Sequence, residues 1–286
     1  MLDLTDKKVL EIEEAANTMR EDIIQMLLAA GSGHSAGSLD MADVFAAFYF
    51  HILNHDPKNP EWADRDRLIL SAGHICPVRY AAMARAGYFP VEELKTLRKF
   101  GSRLQGHPER MHLPGLETTS GPLGEGIAQA AGLAFAARMD GKSWRTYCVM
   151  GDGEQDCGIV WETLLFAGAK KLANLTVIID RNNIQIDGPT ETVMPLESLR
   201  AKYESFNWRV IEVGGHNIRQ FVEAVEEAKA TEDSPTCIIA HTIAGKGVDF
   251  MEYKFEWHGA VPNSEQAEKA INELRTLGGK IMSEHQ

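Results

Sequence analysis

The sequence contains few cysteines and no long apolar run. The four cysteines are Cys76, Cys148, Cys157 and Cys237, and no two of them have the CxxC spacing of a zinc site or a redox pair. Scattered cysteines of this kind are typical of reduced thiols in a cytosolic protein. The N-terminus lacks the apolar core of a signal peptide, and no apolar run approaches the length of a membrane span. We therefore expect a cytoplasmic protein that does not insert into a membrane.

An excess of basic residues is also lacking. The 286 residues include 29 Lys and Arg against 41 Asp and Glu, which gives a net charge of −12. Binding to nucleic acid or to an anionic membrane needs a basic face, so we predict neither partner. An anionic ligand would need local hydrogen-bond donors or a metal ion. Hydrophobic residues make up 44% of the chain, which is enough for a sizeable core.

Strand-like apolar segments alternate with helix-like segments along the chain. The predicted strands are 68–70, 147–150, 175–179, 208–213 and 236–240, and the predicted helices include 4–30, 78–86, 127–139, 159–172, 196–206 and 218–230. A further helix is expected from a cap at Ser38 or Asp40 to about Phe50. This alternation favours an α/β fold, a doubly wound parallel sheet flanked by helices. No repeat or linker interrupts it, so we expect residues 1–286 to form a single domain with an N-terminal helix and a C-terminal helical extension that stops at Gly278-Gly279.

The segment 149–188 carries the strongest chemical pattern. Asp152 directly follows one predicted strand, and Asn182, 30 residues later, follows the next. A strand–helix–strand crossover needs about this spacing, so both side chains are expected at the same edge of a parallel sheet. Carboxylate, amide and carbonyl oxygens suit Mg²⁺ or Ca²⁺, with the oxygens of a diphosphate completing the coordination. Either glycine turn alone would be an ordinary turn, but the pair at two strand ends favours a metal site.

Several histidines lie in glycine-rich segments. His34 lies among small residues, and His74 follows a short strand, where ligands bind in open α/β sheets. His107 belongs to a long irregular segment, 100–122, of a kind that is usually functional or disordered. The turn 120–126 then opens a helix, which is a generic anion site because free N–H groups and the helix dipole point at it. Each of these features alone is also compatible with an ordinary loop.

Taken together, these motifs resemble the thiamine-diphosphate-binding N-terminal part of transketolase. Gly-Asp-Gly, then about thirty residues, then Asn is the thiamine-diphosphate motif, and the resemblance runs from about Ile12 to Gly259. The motifs occur in the family's order as Ser32-Gly33-His34, Ser71-Ala72-Gly73-His74, Gly106-His107-Pro108-Glu109, Gly121-Pro122-Leu123-Gly124, the segment Gly151–Gly188 and Trp257-His258-Gly259. The resemblance implies the thiamine-diphosphate-binding fold, with this chain as its diphosphate-binding domain.

The resemblance also implies a site for thiamine diphosphate and a divalent cation, Mg²⁺ or alternatively Ca²⁺ or Mn²⁺. The implied metal ligands are Asp152, Asn182 and the carbonyl of Ile184. The implied cofactor-binding residues are His74, Gly121, Leu123, Gly151, Asp152, Gly153, Asn182, Ile186, His258, Lys246 and Glu162. The implied catalytic residues are His34, His74, His107 and His258. These imidazoles would line the channel to the cofactor, bind sugar hydroxyls and transfer protons near neutral pH.

Three places depart from the family's pattern. Cys157 stands where transketolases usually have a glutamate of an acidic cluster between paired cofactor sites, whereas Glu162 matches another member of that cluster. Two outcomes are open: Asp156 compensates for the missing glutamate, or proton exchange between the two sites is altered. In both, we expect cofactor binding to be retained. Glu125 also replaces the usual Gln, and Ser35-Ala36 replace the usual Pro-Gly.

A one-chain transketolase continues with a pyrimidine-binding domain and a C-terminal domain, which this sequence lacks. The chain ends in a helix and a short polar tail, which resembles a natural terminus. We therefore predict the N-terminal subunit of a split transketolase, active only with a separate C-terminal subunit in an α₂β₂ heterotetramer. It would transfer a two-carbon ketol (glycolaldehyde) unit from a ketose to an aldose, with sugar phosphates as the predicted substrates. Specificity for the sugars would lie mainly in the partner.

Two alternative functions are compatible with parts of the pattern. The α subunit of a 2-oxo-acid dehydrogenase shares the Gly-Asp-Gly and Asn unit, but the four histidines and Trp257-His258-Gly259 favour a transketolase. A non-catalytic regulatory protein that keeps the fold is the other alternative, and the complete set of metal ligands argues against it.

Overall fold

A parallel sheet organises residues 4–278, the part of the chain that the computed structural model describes. In chain order the strands are β1 Arg67–Leu70, β2 Thr146–Gly151, β3 Leu175–Arg181, β4 Ile184–Gln185, β5 Gly188–Pro189, β6 Arg209–Gly214 and β7 Thr236–His241. Five of them form one sheet in the order β1-β2-β3-β7-β6, with every neighbouring pair parallel. The short strands β4 and β5 form an antiparallel hairpin.

Each predicted strand is present, with small shifts at its ends. All of β3 is buried, as expected for a central parallel strand whose two faces are both covered. Consecutive side chains of β2 enter two different hydrophobic clusters, because side chains alternate across a strand. Tyr147 and Val149 pack into one cluster, and Cys148 and Met150 pack into the other. The core therefore lies on both sides of the sheet.

Helices cover both faces of this sheet. They are α1 Asp6–Ala30, α2 Ala36–Asp40, α3 Ala42–Ala47, α4 Cys76–Ala86, α5 Glu125–Met139, α6 Gly158–Ala169, α7 Thr190–Val193, α8 Leu199–Ser205, α9 Ile218–Ala230 and α10 Ser264–Leu277. Helices α1, α3, α4, α9 and α10 contribute to the cluster on one face, and α5, α6 and α8 contribute to the cluster on the other. The predicted doubly wound parallel sheet flanked by helices is confirmed.

The segment after His34 differs most from the prediction. The sequence predicts one helix capped by Ser38 or Asp40, whereas the structure contains α2, α3 and a π-helical turn at Phe48–Ile52. The helical path begins before both predicted caps, so the capping prediction is wrong. The Ser38 hydroxyl donates to the His34 carbonyl at 2.7 Å, and Asp40 accepts a hydrogen bond from Asn182.

Local signals set the ends of the first and last helices. Helix α1 begins after Thr5, whose hydroxyl accepts a first-turn N–H at 3.2 Å, and it ends at Gly31, where φ is 67°. This is the left-handed stop that the sequence predicts. Helix α10 begins with a capping box formed by Asn263 and Gln266. Gly279, the polar tail and the first three residues of the predicted domain lie outside the described residues.

All four cysteines are free thiols. Burial raises the pKa of the Cys148 and Cys237 thiols well above the ordinary value, so these two side chains act as apolar core residues. Across residues 4–278, no helix combines the length and the apolar character needed to cross a bilayer.

Candidate active site

A cavity of about 420 Å³ opens at the carboxyl ends of β2 and β3. The register of the sheet pairs Gly151 with Asp180, so the residues that follow the two strands meet at one edge. Ligand sites of parallel α/β sheets lie at this edge. Twelve predicted site residues line the cavity, namely His34, His74, His107, Gly121, Leu123, Gly151, Asp152, Gly153, Asn182, Ile184, Ile186 and His258.

Asp152, the first predicted side-chain ligand, is held by a dense set of hydrogen bonds. Its Oδ1 accepts from the Gly153 N–H at 2.7 Å. Its Oδ2 accepts from the Asn183 N–H at 2.8 Å and from Nη1 of Arg181 at 2.9 Å. Burial raises the pKa of the Asp152 carboxyl group, and the charge of Arg181 offsets part of this effect.

Arg181 connects Asp152 to the segment that follows β5. Its Nη2 donates to Glu191 at 2.6 Å and to Glu197 at 2.9 Å. The side chains of these two glutamates are 40% and 59% exposed, whereas that of Arg181 is 3% exposed. One guanidinium group therefore joins a buried carboxylate to two carboxylates at the surface.

The side-chain amide of Asn182, the second predicted ligand, is oriented by three contacts. Its Nδ2 donates to Oδ2 of Asp180 at 2.9 Å and to Oδ2 of Asp40 at 3.1 Å. Its Oδ1 accepts from the Ile184 N–H at 3.1 Å. We call Asp40, Asp180 and Asn182 the Asn182 cluster. Because a carbonyl oxygen has two lone pairs, Asn182 Oδ1 retains one for a ligand in the cavity that this residue lines.

Three of the four predicted imidazoles pack against one another. The ring centroids of His34 and His74 are 5.0 Å apart, those of His34 and His258 are 5.8 Å apart, and those of His74 and His258 are 5.1 Å apart. Burial lowers the pKa of each of these rings and of His107, and lowers that of His34 to about 4. The imidazoles are therefore neutral near pH 7, so each can donate from one nitrogen and accept at the other.

The donor atoms at the two strand ends fit a divalent cation that carries a diphosphate. Within residues 4–278, no group of three or more His, Cys, Asp or Glu side chains is arranged to hold a metal ion. A cation here would depend on Asp152, the Asn182 amide oxygen and the Ile184 carbonyl, which are all hard oxygen donors. A Cβ atom added at Gly151 would meet nothing within 4 Å, which leaves room for a ligand against the backbone. Three donors of low total charge suit a cation whose other ligands come from a bound anion.

Comparison with known proteins decides the family. Residues 12–279 match the family described as "Transketolase, thiamine diphosphate binding domain". The chain belongs to the transketolase family. It is 40% identical over 269 residues to the 6-deoxy-6-sulfo-D-fructose transketolase subunit SqwG of Clostridium sp. (strain MSTE9), which covers 94% of this chain and 98% of that relative. It is 37% identical over 278 residues to an apulose-4-phosphate transketolase subunit of Phocaeicola vulgatus, which covers 97% of this chain and 98% of that relative.

Solved transketolase structures share the fold. The transketolase from Leishmania mexicana has a TM-score of 0.87 at 36% identity, over 94% of this chain and 41% of that chain. The predicted thiamine-diphosphate-binding fold is therefore confirmed, as is the prediction of a transketolase-type transferase subunit. The chain matches relatives named as subunits over nearly their whole length, and it matches a larger transketolase over less than half.

Glu154, which is not among the predicted site residues, holds the cavity wall of this transketolase domain together. One carboxylate oxygen accepts from the Ser71 hydroxyl and the Gly124 N–H, and the other accepts from the Gly151 N–H at 3.1 Å. Glu154 thus joins the end of β1, the start of α5 and the end of β2. Two N–H groups of the turn 120–126, those of Gly124 and Gly126, already bond to side chains of the protein, so these two are not free for an anionic ligand. The only sequence signal was the position of Glu154 directly after Gly-Asp-Gly.

Asp40 and Asp180 were also missed. Burial and the neighbouring Asp180 raise the pKa of Asp40 well above its ordinary value, and burial raises the pKa of Asp180 to about 7. The Thr242 hydroxyl donates to Oδ1 of Asp180. Proximity to Asn182 in sequence could have indicated Asp180. Asp40 gave no such signal, because 142 residues separate it from Asn182.

A second buried polar cluster lies beside the Asn182 cluster. We call Arg20, Asp43 and His216 the Asp43 cluster. Arg20 donates to both Asp43 oxygens at 3.3 and 2.5 Å, and Nδ1 of His216 donates to Asp43 at 2.8 Å. Arg20 Nε also donates to the Leu39 carbonyl at 3.0 Å, and His216 Nε2 accepts from the Ile243 N–H at 2.8 Å. The Asp43 cluster therefore fixes the backbone on two sides of the Asn182 cluster.

Two predicted cofactor residues lie outside the lining of the cavity. Lys246 is buried in the loop after β7, and Glu162 is exposed on α6; among the described residues, neither contributes to the lining. Cys157 is half-buried directly before α6. Asp156, the candidate to compensate for the missing glutamate, accepts from Nε2 of Gln185 at 3.1 Å. Its carboxylate is therefore already engaged with the cavity wall.

Proposed function

We propose that the chain is the N-terminal subunit of a two-subunit transketolase, which transfers a two-carbon ketol unit from a ketose to an aldose. The observation that carries this proposal is the arrangement of Asp152, Asn182 and four imidazoles around one cavity of about 420 Å³. Membership of the transketolase family and the matches to named transketolase subunits support it.

Asp152, Asn182 and the carbonyl of Ile184 are proposed to bind Mg²⁺, with Ca²⁺ or Mn²⁺ as alternatives. The cation would offset the charge of a diphosphate in a chain whose own net charge is −12. Gly151 and Gly153 lie beside these donors and would let the diphosphate approach the backbone. At Gly153, a Cβ atom would lie 2.8 Å from the side chain of Gln185, so glycine leaves room for that side chain in the cavity wall.

Gly121, Leu123 and Ile186 are proposed to contact the rings of thiamine diphosphate. Leu123 and Ile186 line the cavity and are 40% and 66% exposed although they are apolar, and a bound ring would remove part of this surface from water. When bound, thiamine diphosphate supplies the nucleophilic carbon and the electron sink for carbon–carbon bond cleavage. The residues of the chain would bind the cofactor, orient it and exclude water from it.

His34, His74, His107 and His258 are proposed to bind sugar hydroxyls and to move protons. Because burial lowers their pKa values, they would be neutral near pH 7, and a neutral imidazole both donates and accepts. Nδ1 of His34 has no hydrogen-bond partner within residues 4–278, and we assign it to a substrate hydroxyl.

The partner is proposed to be a separate subunit with the pyrimidine-binding domain, and two copies of each would form an α₂β₂ heterotetramer. The chain covers 98% of two relatives named as subunits but 41% of a larger transketolase, which supports a division of the enzyme into two chains. Glu162, exposed on α6, would join an acidic cluster between two cofactor sites. Lys246 is a further proposed cofactor-binding residue.

Sugar phosphates are the proposed substrates. One relative is named for apulose 4-phosphate and another for a sulfo-sugar, so the relatives' names differ in the anionic group of the sugar. We assign recognition of that group to the partner subunit. Residues 1–286 are proposed to act as one diphosphate-binding domain in the cytoplasm, and the four free thiols agree with this location.

The two alternative functions have less support. The relatives from Clostridium and Phocaeicola and the solved structure from Leishmania are transketolases, which favours this family over the 2-oxo-acid dehydrogenases. A non-catalytic protein would have no need for four neutral imidazoles around one cavity.

The proposed function can be tested by combining the chain with its partner subunit, thiamine diphosphate and Mg²⁺. We expect ketol transfer from a ketose phosphate only when both chains are present, with loss of activity in EDTA and recovery on addition of Mg²⁺. His74→Ala should lower the activity strongly, whereas His112→Ala should not, because the His112 side chain is 55% exposed and lies outside the cavity lining. Ketol transfer by the isolated chain would contradict the need for a partner, and no binding of thiamine diphosphate by the two chains together would contradict the function.

A further inference from the structure

The amide of Asn182 has two orientations in principle, and its surroundings permit one. The backbone N–H of Ile184 can only donate, so Oδ1 of Asn182 faces it at 3.1 Å and the NH₂ group of Asn182 faces Oδ2 of Asp40 and Oδ2 of Asp180. The reversed amide would set Oδ1 against two carboxylate oxygens and the NH₂ group against the Ile184 N–H. The NH₂ group would then face another donor, and its hydrogen bonds to Asp40 and Asp180 would be lost.

We propose that Asp40 is a positioning residue that fixes the Asn182 amide with its oxygen toward the bound cation. This inference rests on the proposed function, in which Asn182 is a metal ligand. Asp40 is fully buried and lies outside the cavity lining, so it would act on the cation through Asn182 and not by direct contact. Partners behind a metal ligand of this kind orient it and tune its affinity for the metal.

Asp40 and Asp180 both bond to Asn182, but they lie at different distances from it in the sequence. Asp180 precedes Asn182 by two residues and lines the cavity itself. Asp40 lies 142 residues away in sequence, at the end of α2, and bonds Asn182 across the interior of the protein. The Asp40 contact therefore ties the orientation of a ligand on one strand end to the position of a separate helix.

The Asp43 cluster holds that helix in place. Arg20 Nε donates to the carbonyl of Leu39, the residue before Asp40, at 3.0 Å, and the guanidinium group of Arg20 pairs with Asp43 just beyond α2. The Arg20 side chain is itself only 3% exposed. Both flanks of Asp40 are thus anchored by one buried cation, which gives Asp40 the rigidity that a positioning residue needs.

The test compares Asp40→Leu with Asp40→Asn in the full chain, combined with thiamine diphosphate and the partner subunit. Leu has the same branching at Cγ as Asp but cannot accept a hydrogen bond, whereas the side-chain oxygen of Asn can still accept from Asn182. We expect Asp40→Leu to raise the Mg²⁺ concentration that half-saturates cofactor binding by about tenfold or more, and Asp40→Asn to remain close to the wild type. Binding is followed by titration calorimetry, and turnover is measured separately at saturating Mg²⁺, where most of the activity should return.

Asp22→Leu is the matched control. Asp22 is another buried acid, 8% exposed, but it pairs with Arg85 at 2.7 Å and lies outside the cavity lining. This variant should leave the half-saturating Mg²⁺ concentration unchanged. A purely structural defect would instead reduce the amount of cofactor bound at every Mg²⁺ concentration. If Asp40→Leu does not fold, Asp40→Ala provides the same comparison, because alanine is smaller and also cannot accept a hydrogen bond.

Two results would overturn the inference alone. The first is wild-type Mg²⁺ dependence in Asp40→Leu. The second is equal weakening in Asp40→Asn and Asp40→Leu, which would show that the charge of Asp40 matters and its hydrogen bond does not. An absence of Mg²⁺-dependent cofactor binding in the wild-type complex would overturn the proposed function, and the inference with it.

Discussion

The two buried polar clusters beside the cavity differ in how their carboxyl groups are paired. Asp43 bonds to a guanidinium group and an imidazole, whereas Asp40 bonds to an amide and lies against a second carboxyl group. Burial raises the pKa of both acids, but Arg20 and His216 outweigh burial at Asp43 and lower its pKa to about 2. At Asp40, Asp180 adds to the effect of burial and raises the pKa further. A buried acid thus stabilises the fold where cations surround it, and orients a neighbour where they do not.

Removing the acid of the Asp43 cluster should have the largest effect. Asp43→Ala leaves the buried Arg20 without its counter-ion, and we expect the free energy of unfolding to fall by about 3–5 kcal/mol in urea denaturation. Asp22→Ala is the control, because its partner Arg85 has a 36% exposed side chain, and its loss should be smaller. If both variants lost the same free energy of unfolding, the Asp43 cluster would be no more important for stability than an ordinary ion pair near the surface.

Removing the amide of the Asn182 cluster should weaken cofactor binding strongly and lower the free energy of unfolding only a little. Asn182→Ala deletes a proposed metal ligand, so cofactor binding should weaken by more than the roughly 10- to 100-fold that loss of an outer partner costs. The free energy of unfolding should change less than in Asp43→Ala, because no buried charge loses its counter-ion. Titration of thiamine diphosphate at fixed Mg²⁺, with the partner present, measures the first effect.

Asn174→Ala is the control for that titration. Asn174 also bonds through Nδ2, in this case to the Ala134 carbonyl at 2.9 Å, but it lies outside the cavity lining. Tight cofactor binding by Asn182→Ala would argue against its role as a ligand.

Acid should weaken the Asp43 cluster in a defined range of pH. The pKa of Asp43 is about 2 in the folded protein against an ordinary value of 3.8, so the folded protein takes up this proton less readily than the unfolded chain. The resulting stabilisation is complete above about pH 4 and is lost as the pH falls toward about 2, a total of about 2 kcal/mol. Urea denaturation between about pH 5 and pH 3 should show the wild type approaching Asp43→Asn in stability. If the difference in the free energy of unfolding between the wild type and Asp43→Asn does not decrease over this range, the low pKa of Asp43 would be contradicted.

A change outside both clusters should have the smallest effect. Cys157 is the residue before α6, and its side chain makes no capping hydrogen bond. Because serine is a preferred residue at this position, Cys157→Ser should raise the free energy of unfolding by about 0.5–1 kcal/mol and leave cofactor binding unchanged. Cys148→Ser should lower it, since Cys148 is fully buried among apolar side chains. Thermal denaturation distinguishes the expected gain in stability of Cys157→Ser from the expected loss of Cys148→Ser. A Cys157→Ser variant that is less stable than the wild type would contradict the assignment of Cys157 as an uncapped helix start.

The sheet and the pair Asp152 and Asn182 could be predicted from the sequence, because both depend on local patterns. Apolar runs mark the strands, and the separation of the two residues matches a single crossover between adjacent strands. The contact of Asp40 with Asn182 could not be predicted, because it depends on where α2 packs, and the sequence pattern predicts one longer helix there. Likewise, the N–H groups of the turn 120–126 look free in the sequence, and only the folded chain brings Glu154 to them.

Arg181 spans the boundary between the protein interior and the solvent. Dissolved ions screen exposed charges much more than buried ones. As ionic strength rises, its contacts with Glu191 and Glu197 should therefore weaken first, while its contact with Asp152 persists. The attachment of segment 190–197 to the cavity through Arg181 should therefore depend on the salt concentration of the medium. The buried contact between Arg181 and Asp152 should not.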